Sequence, residues 1–187
     1  MCIRDRKIIG DRAFSSNIKI VNKIGDLVIE KFHYNKIGTV IKHIPGHGLA
    51  KSDSHIRTPY IYKNLNYLKR NDFKVFKNKK SIFAMTAHII FSKIDPTYTV
   101  THSKKLINII RNEINFKNLI ISDDISMKSL KFSILTNTQK AFQAGCNLVL
   151  HCNARMSEMK VVAENSPKLD NFLLKKTLEF YKLVNIK

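Results

Sequence analysis

Short apolar runs that favour β-strands alternate along this chain with longer segments whose apolar residues recur at helical spacing. The strand-type runs lie at 38–41, 81–90, 119–121 and 147–152, after the end of an earlier one at 7–10. The helical segments lie at 17–34, 60–68, 103–114 and 138–144 and from Ser166 onward, with a connector at 71–80. This alternation is typical of βα units, which build a parallel sheet through right-handed crossovers. The sequence therefore predicts an α/β fold.

Three helical segments carry an apolar face, and two residues mark helix ends. Ser103 is the expected N-cap of one helix, and Gly145 is expected just past the end of another. The apolar faces are predicted to pack inward. They are formed by Ile20, Val21, Ile24, Leu27, Val28 and Phe32 in the first helix, by Leu106, Ile107, Ile110 and Ile114 in the helix that starts at Ser103, and by Leu169, Phe172, Leu173 and Phe180 in the last.

Chain length limits how much of a parallel α/β architecture can be present. The 187 residues suffice for one buried core, so a single domain over 1–187 is expected. Residues 1–6, MCIRDR, are excluded from the fold because their composition is unrelated to that of the rest of the chain. A complete eightfold βα barrel usually takes about 250 residues, whereas this chain supplies about four units and the end of another strand. The alternatives are a small open sheet and a piece of a barrel.

The formal net charge of +19 raises nucleic acid or an anionic surface as a partner. The lysines are spread among isoleucines and asparagines along the whole chain, and the interleaved aromatic residues that a stacking platform needs are few. Nucleic-acid binding is therefore disfavoured as the primary function. We interpret the basic charge as a compositional bias.

The cysteines and the hydropathy of the chain indicate its cellular location. Cys2, Cys146 and Cys152 are interpreted as reduced structural thiols, and the last two are expected in or beside a buried strand. No apolar stretch approaches the roughly 20 residues needed to cross a bilayer. The first residues also lack the apolar middle of a signal peptide. The expected location is the cytoplasm, without a membrane partner.

Most of the candidate chemistry lies in residues 42–55, KHIPGHGLAKSDSH, at the end of a predicted strand, where parallel α/β folds build their sites. His55 is a candidate general acid/base because the unperturbed pKa of histidine lies near neutrality. Asp53 could accept its ring N–H and fix the tautomer. The alternatives are a zinc site made of His47, Asp53 and His55, and a polar surface loop without a function.

Two adjacent carboxylates, Asp123 and Asp124, come directly after the apolar run 119–121 and Ser122. Burial of carboxylates costs free energy, so a functional role competes with the capping of a following turn or helix. His88 stands near the end of the run 81–90. It either lines the same pocket or is a core histidine with satisfied hydrogen bonds, and the sequence assigns it no role.

Five ordered motifs closely resemble those of the bacterial β-N-acetylhexosaminidases of glycoside hydrolase family three. They are IGDRAF, KHIPGHG followed by DSH, AMTAH, SDDISM and AGCNLVLHCN, and they cover the chain from Ile8 to about Asn153. The resemblance implies a TIM (β/α)8 barrel, represented here by roughly its second half. It also implies a cytoplasmic enzyme that removes N-acetylglucosamine from muropeptides in peptidoglycan recycling.

The resemblance further implies a retaining mechanism with a carboxylate nucleophile and a histidine acid/base, without metal or cofactor. The implied partner is a small carbohydrate, an N-acetylglucosaminyl anhydro-muropeptide, and the complete enzyme is expected to be a monomer. An inactive fragment, or a basic α/β module that binds phosphate or nucleic acid, is the alternative. The residues carried over are Asp123 as nucleophile, His55 as acid/base with Asp53 as its partner, and Arg12, Lys42 and His43 as sugar-binding residues.

Overall fold

The computed structural model describes residues 13–186. In this range the helices are α1 (Ile18–Tyr34), α2 (Leu65–Arg70), α3 (Lys104–Asn112), α4 (Ile134–Ala144), α5 (Met156–Glu164) and α6 (Asn171–Val184). The strands are β1 (Val40–Ile44), β2 (Tyr60–Ile61), β3 (Phe83–Thr86), β4 (Ile90–Phe91), β5 (Leu119–Asp124) and β6 (Leu148–Leu150). Two short 3-10 helices lie at Asp72–Phe76 and Val100–His102.

Four strands form one parallel sheet in the order β1-β3-β5-β6. Val40 pairs with Phe83 and Phe83 with Leu119, and β6 joins further along β5, where Ile121 pairs with Leu148. The carboxyl ends of these strands therefore lie along one edge, where parallel sheets carry their sites. The short strands β2 and β4 form a separate parallel pair. Within residues 13–186 the sheet is open, with β1 and β6 at its two edges.

Helix ends follow the predicted capping chemistry. Ser103 Oγ accepts a hydrogen bond of 3.2 Å from Leu106 N at the start of α3, and it donates one of 2.6 Å to Asp95 Oδ2. Gly145 follows α4 with a φ of +111°, a conformation that strains residues with a Cβ. A Cβ there would also lie 3.0 Å from Ile107 Cγ2. Both end signals are confirmed.

The helix predicted over 60–68 is wrong in its first half. Ile90 N donates to the carbonyl of Pro59, and this parallel pairing holds the start of the segment as β2. The helix begins only after Asn64, whose side chain accepts from Tyr67 N at 2.9 Å. Pairing with a distant strand therefore outweighs the local helical pattern.

Four further segments differ from the sequence prediction. The connector predicted at 71–80 contains a buried 3-10 helix, and the strand predicted at 81–90 is divided into β3 and β4. The closing helix starts after Asp170, whose carboxylate caps it by accepting from Leu173 N, rather than at Pro167. Helix α5 has no counterpart among the predicted helices.

Helix α1 buries a narrower stripe than its apolar face predicted. Val21, Gly25 and Ile29 are buried, whereas the side chains on the next stripe are exposed, because no described part of the chain covers them. Together with Val40 on the edge strand β1, some of them line an apolar groove of about 360 Å³. The inward prediction is wrong for Ile20, Leu27, Val28 and Phe32.

The last helix is also more exposed than predicted, and the two described cysteines differ in burial. Leu169 and Phe172 are exposed, although Phe180 packs edge-on against Phe83 with ring centroids 5.0 Å apart. Cys146 is buried in the core, where burial raises its pKa to about 12. Cys152 is exposed and lies two residues after the end of β6, which is the expected position beside a strand.

Four predictions fall on residues 1–12 and lie outside the described residues. They concern the strand end at 7–10, the exclusion of residues 1–6 from the fold, Cys2 as a reduced thiol, and Arg12 as a sugar-binding residue. In the described part of the chain, no helix combines the length and hydropathy needed to cross a membrane.

Candidate active site

The carboxyl ends of β1 and β5 bring His43 and Asp123 together. His43 Nε2 lies 3.5 Å from Asp123 Oδ2, and the side chains are 25% and 14% exposed. Burial lowers the pKa of His43 to about 3, with smaller contributions from His47 and Lys42. The contact is therefore a neutral imidazole beside a carboxylate, in an enclosed position at the sheet edge.

The loop that leaves β1 turns sharply at Gly46. Its φ is +151°, and a Cβ there would lie 2.7 Å from Asp72 Cβ in the 3-10 helix, so only glycine allows this close approach. The turn places the buried His47 ring 5.5 Å from the ring of His43. Burial lowers the pKa of His47, while the negative charges of Asp53 and Asp123 raise it. His47 is thus within electrostatic range of both predicted carboxylates.

Farther along the same loop, Asp53 and His55 form a local pair. Asp53 Oδ1 lies 2.8 Å from His55 Nδ1 and also accepts from the His55 backbone N–H at 2.9 Å. These hydrogen bonds hold the pKa of Asp53 below its usual value. The side chains of His55 and Asp53 are 76% and 44% exposed. Because the carboxylate accepts at Nδ1, the other ring nitrogen of His55 is directed away from Asp53.

The loop is tied down again where it returns to the sheet. Thr58 Oγ1 donates to the carbonyl of Ser129 at 2.6 Å, in the segment that follows β5. The next residue, Pro59, accepts from Ile90 N at 3.0 Å. The loop that carries Asp53 and His55 is therefore fixed near both ends, and the exposed pair lies between the anchors.

Asp123 and Asp124 have different surroundings at the end of β5. Asp124 N donates to Asp123 Oδ1 at 2.9 Å. The Asp124 carboxylate accepts from Ser126 N at 3.0 Å, from Ser126 Oγ at 2.7 Å and from Cys152 N at 3.1 Å. Asp124 therefore caps the following turn and ties β5 to the residues after β6. Asp123 keeps an oxygen directed toward His43.

His88 is buried behind this strand end. Its Nε2 lies 2.9 Å from the carbonyl oxygen of Asp124, and its Nδ1 lies 2.7 Å from Thr101 Oγ1. Of the two interpretations of His88 that the sequence allows, the core histidine with both nitrogens bonded matches this geometry. His88 lies just after β3, the strand that pairs with β5. This position is the sequence signal that could have predicted its contact with Asp124.

Several predicted residues are brought to the same edge. His43 and Lys42 lie on β1, Asp123 lies on β5, and the Asp53–His55 pair lies on the loop after β1. Sequence reasoning gives His47 a place only in the zinc alternative, yet its buried Nδ1 has no hydrogen-bond partner beside His43. No group of three metal-ligating side chains is arranged around a common point within residues 13–186, so the zinc alternative lacks support.

These features define a class: a parallel α/β protein with an acidic residue at a strand end and an Asp–His pair on a neighbouring loop. Residues 3–174 match the family described as the glycosyl hydrolase family 3 N-terminal domain. The chain belongs to glycoside hydrolase family 3, and its fold is the TIM-barrel-like α/β fold of that family. The sequence predictions of family and fold class are confirmed.

Two relatives support the same family. The Beta-hexosaminidase of Haemophilus influenzae (strain PittEE) is 31% identical over 197 residues, which cover 96% of this chain and 56% of that protein. The Beta-hexosaminidase of Idiomarina loihiensis is 34% identical over 164 residues, which cover 86% of this chain and 50% of that protein. The chain therefore spans about half the length of these curated relatives.

Solved structures agree with this fold. NagZ from Neisseria gonorrhoeae is 28% identical with a TM-score of 0.80, over 92% of this chain and 51% of that one. A family 3 beta-N-acetylglucosaminidase from Paenibacillus sp. has a TM-score of 0.84 over 96% of this chain and 37% of that one. At 20% identity it supports the fold alone.

Proposed function

We propose that this chain carries the reacting residues of a retaining β-N-acetylhexosaminidase that releases terminal β-linked N-acetylglucosamine from muropeptides in peptidoglycan recycling. The observation that supports this most is the pairing of two sites at one sheet edge. An enclosed carboxylate, Asp123, lies at the end of β5, and an exposed Asp53–His55 pair lies on the loop after β1. The curated relatives are named Beta-hexosaminidase, which supports a β-linked hexosaminide as the class of substrate.

In the first step, a carboxylate oxygen of Asp123 attacks the anomeric carbon and forms a glycosyl ester, while the bond to the leaving oxygen breaks. His55 gives the leaving oxygen a proton from Nε2. Asp53 accepts a hydrogen bond from Nδ1–H and stabilises the imidazolium that supplies the Nε2 proton. In the second step, His55 takes a proton from water, whose oxygen attacks the anomeric carbon and releases Asp123.

The remaining predicted residues would hold the sugar. Lys42 and His43 lie at the end of β1, with His43 Nε2 3.5 Å from Asp123 Oδ2, so a sugar held by them would meet the nucleophile. A neutral His43, whose pKa burial lowers to about 3, can bond a sugar hydroxyl without an ion pair to Asp123. Arg12 is proposed as a third sugar contact from the motif match alone.

The proposal includes the setting of the enzyme. The chain would form one partial catalytic domain, in the cytoplasm, with an N-acetylglucosaminyl anhydro-muropeptide as its substrate. Completed to the length of its relatives, it would act as a monomer. The sheet formed by residues 13–186 has two open edges, which supports the need for completion, since a barrel closes only when its strands form a ring.

The test uses a completed enzyme, defined as this chain joined to the portion of the Haemophilus influenzae relative that it does not span. We expect this protein to cleave a chromogenic β-N-acetylglucosaminide. We expect the chain alone to be aggregated and inactive, because the sheet edges and apolar faces are uncovered in the described residues 13–186. A monodisperse, active 187-residue protein would contradict the need for completion. Salt-dependent DNA binding without any glycosidase activity would favour the basic binding module instead.

A further inference from the structure

A chain of three side chains ends on the backbone next to the proposed nucleophile. Thr86 Oγ1 lies 2.8 Å from Thr101 Oγ1, which lies 2.7 Å from His88 Nδ1. His88 Nε2 in turn lies 2.9 Å from the carbonyl oxygen of Asp124. Thr86, Thr101 and His88 are all fully buried, at 0% exposure, so water does not compete for these bonds.

The chemistry of these groups assigns a direction to every bond. A carbonyl oxygen only accepts, so His88 Nε2 must carry the proton. In a neutral imidazole the other nitrogen then accepts, so the Thr101 hydroxyl donates to Nδ1. Since the Thr101 proton is used in this way, the Thr86 hydroxyl donates to Thr101. One tautomer of His88 is therefore the arrangement that satisfies the chain.

The neutral form fits the surroundings of the ring. Burial lowers the pKa of His88, although the nearby carboxylates of Asp123 and Asp124 oppose this effect. A neutral ring offers one directed N–H to the Asp124 carbonyl and adds no positive charge behind the nucleophile. The neutral His88 ring therefore holds the Asp124 carbonyl without neutralising the Asp123 carboxylate that must react.

Asp124 transmits this constraint to Asp123. Its carbonyl is held by His88, and its carboxylate is held by Ser126 and by the backbone N–H of Cys152. Its own N–H donates to Asp123 Oδ1 at 2.9 Å. With the backbone of Asp124 fixed on both sides, this N–H orients one carboxylate oxygen of Asp123 and leaves the other toward His43.

We propose that His88 is a positioning residue for the nucleophile, which acts by holding the Asp124 carbonyl through the hydrogen-bond chain Thr86–Thr101–His88. This inference rests on the proposed role of Asp123. It assigns a function to a histidine that is fully buried. A loss of His88 should affect kcat more than KM, because a nucleophile that is slightly misplaced costs rate rather than sugar binding.

Two substitutions of His88 separate positioning from simple packing. In His88→Gln, the side-chain amide reaches as far as Nε2 and can still donate to the Asp124 carbonyl. In His88→Asn, the shorter side chain can accept from Thr101 but cannot reach Asp124. Both variants are neutral and polar, so they differ mainly in the one bond that the proposal concerns.

In the completed enzyme, kcat is measured per active site counted with a mechanism-based fluorosugar. We expect His88→Asn to lower kcat about 10- to 100-fold, with KM nearly unchanged and His88→Gln within a few-fold of the wild type. Equal kcat per counted site in both variants and the wild type, with only a lower melting temperature, would overturn the proposal by showing a packing role.

A second measurement does not depend on catalysis. In ¹⁵N NMR spectra of the same protein, the His88 ring should show the neutral Nε2–H tautomer at pH 7, and Thr101→Val should disturb it while Thr101→Ser should not. A charged ring or the Nδ1–H tautomer would overturn the hydrogen-bond chain, whatever the activity. The expected tautomer in a folded protein that cleaves no glycoside would instead overturn the proposed role of Asp123, and the positioning role with it.

Discussion

The two parts of the proposed catalytic machinery are held in opposite ways. The strand-end part is enclosed: the Asp123 side chain is 14% exposed, and the backbone next to it is held by the buried His88. The loop part is open: the His55 side chain is 76% exposed, and its hydrogen-bond partner Asp53 is a neighbour in the same loop. Asp123 is held in place by contacts with distant parts of the fold. His55 is held mainly by Asp53, two residues away on the same anchored loop.

This difference matches the tasks that the mechanism assigns. A nucleophile gains rate from a fixed position against the anomeric carbon, so a rigid sheet edge is a suitable support. An acid/base must approach the leaving group after the sugar has entered, which suits a loop between two anchors. The anchors are Gly46, packed against Asp72, and Thr58, bonded to Ser129. Four predictions for the completed enzyme test this contrast.

The largest effect is expected at the strand end. Asp123→Ala removes the proposed nucleophile and should lower kcat by at least about 10⁴-fold. Asp124→Ala should cost less, because that carboxylate bonds Ser126 and Cys152 and is not directed at His43. Peptide mapping after a mechanism-based fluorosugar identifies the labelled residue. A label on Asp124, or on no carboxylate, would show that the nucleophile is misassigned.

The loop part should respond to the leaving group. His55→Ala should slow substrates with poor leaving groups about 10²- to 10⁴-fold and barely affect activated phenols, which need little protonation. Asp53→Ala should give a milder form of the same pattern, since Asp53 orients His55 at a distance of 2.8 Å. The measurement compares the rates of each variant on substrates that share the same sugar and differ only in the leaving group. Equal losses on both substrate types would mean that His55 binds or packs and that the proton comes from elsewhere.

The loop anchor should give a smaller effect of the same kind. Thr58→Val removes the hydrogen bond to the Ser129 carbonyl, worth about 1 kcal/mol, so a loss of roughly fivefold is expected on poor leaving groups. Thr58→Ser keeps the hydroxyl and serves as the matched control. If Thr58→Val also slowed activated substrates to the same extent, the anchor would support the whole site rather than the loop.

The smallest effect concerns pH. Burial lowers the pKa of His43 to about 3, so its ring should stay neutral in an NMR titration from pH 8 to pH 5. The unfolded chain takes up this proton near pH 6.5, so His43 stabilises the folded state above that pH and loses its contribution as pH falls toward 3. Asp53 also has a lowered pKa, but its contribution is lost only below the usual aspartate range. A His43 ring that titrates near 6.5 would contradict the enclosed strand end.

The part of the fold that could be predicted from sequence is the part set by near neighbours. The strand–helix alternation, the Ser103 cap and the Gly145 helix end depend on residues a few positions apart. The Asp53–His55 pair is also local, since its members are two residues apart. Local geometry and residue propensity decide such features, so short sequence patterns were enough to predict them.

The contacts that complete the site were decided by the tertiary structure. His88 meets Asp124 from 36 residues away, and Thr58 meets Ser129 from 71 residues away, because the strand order β1-β3-β5-β6 brings distant strand ends to one edge. The same reason explains the error at α1. Its sequence determined an apolar face, but which stripe is buried depends on what packs against it, and only Val21, Gly25 and Ile29 are buried. Periodicity specifies that a face exists, whereas long-range packing selects its partner.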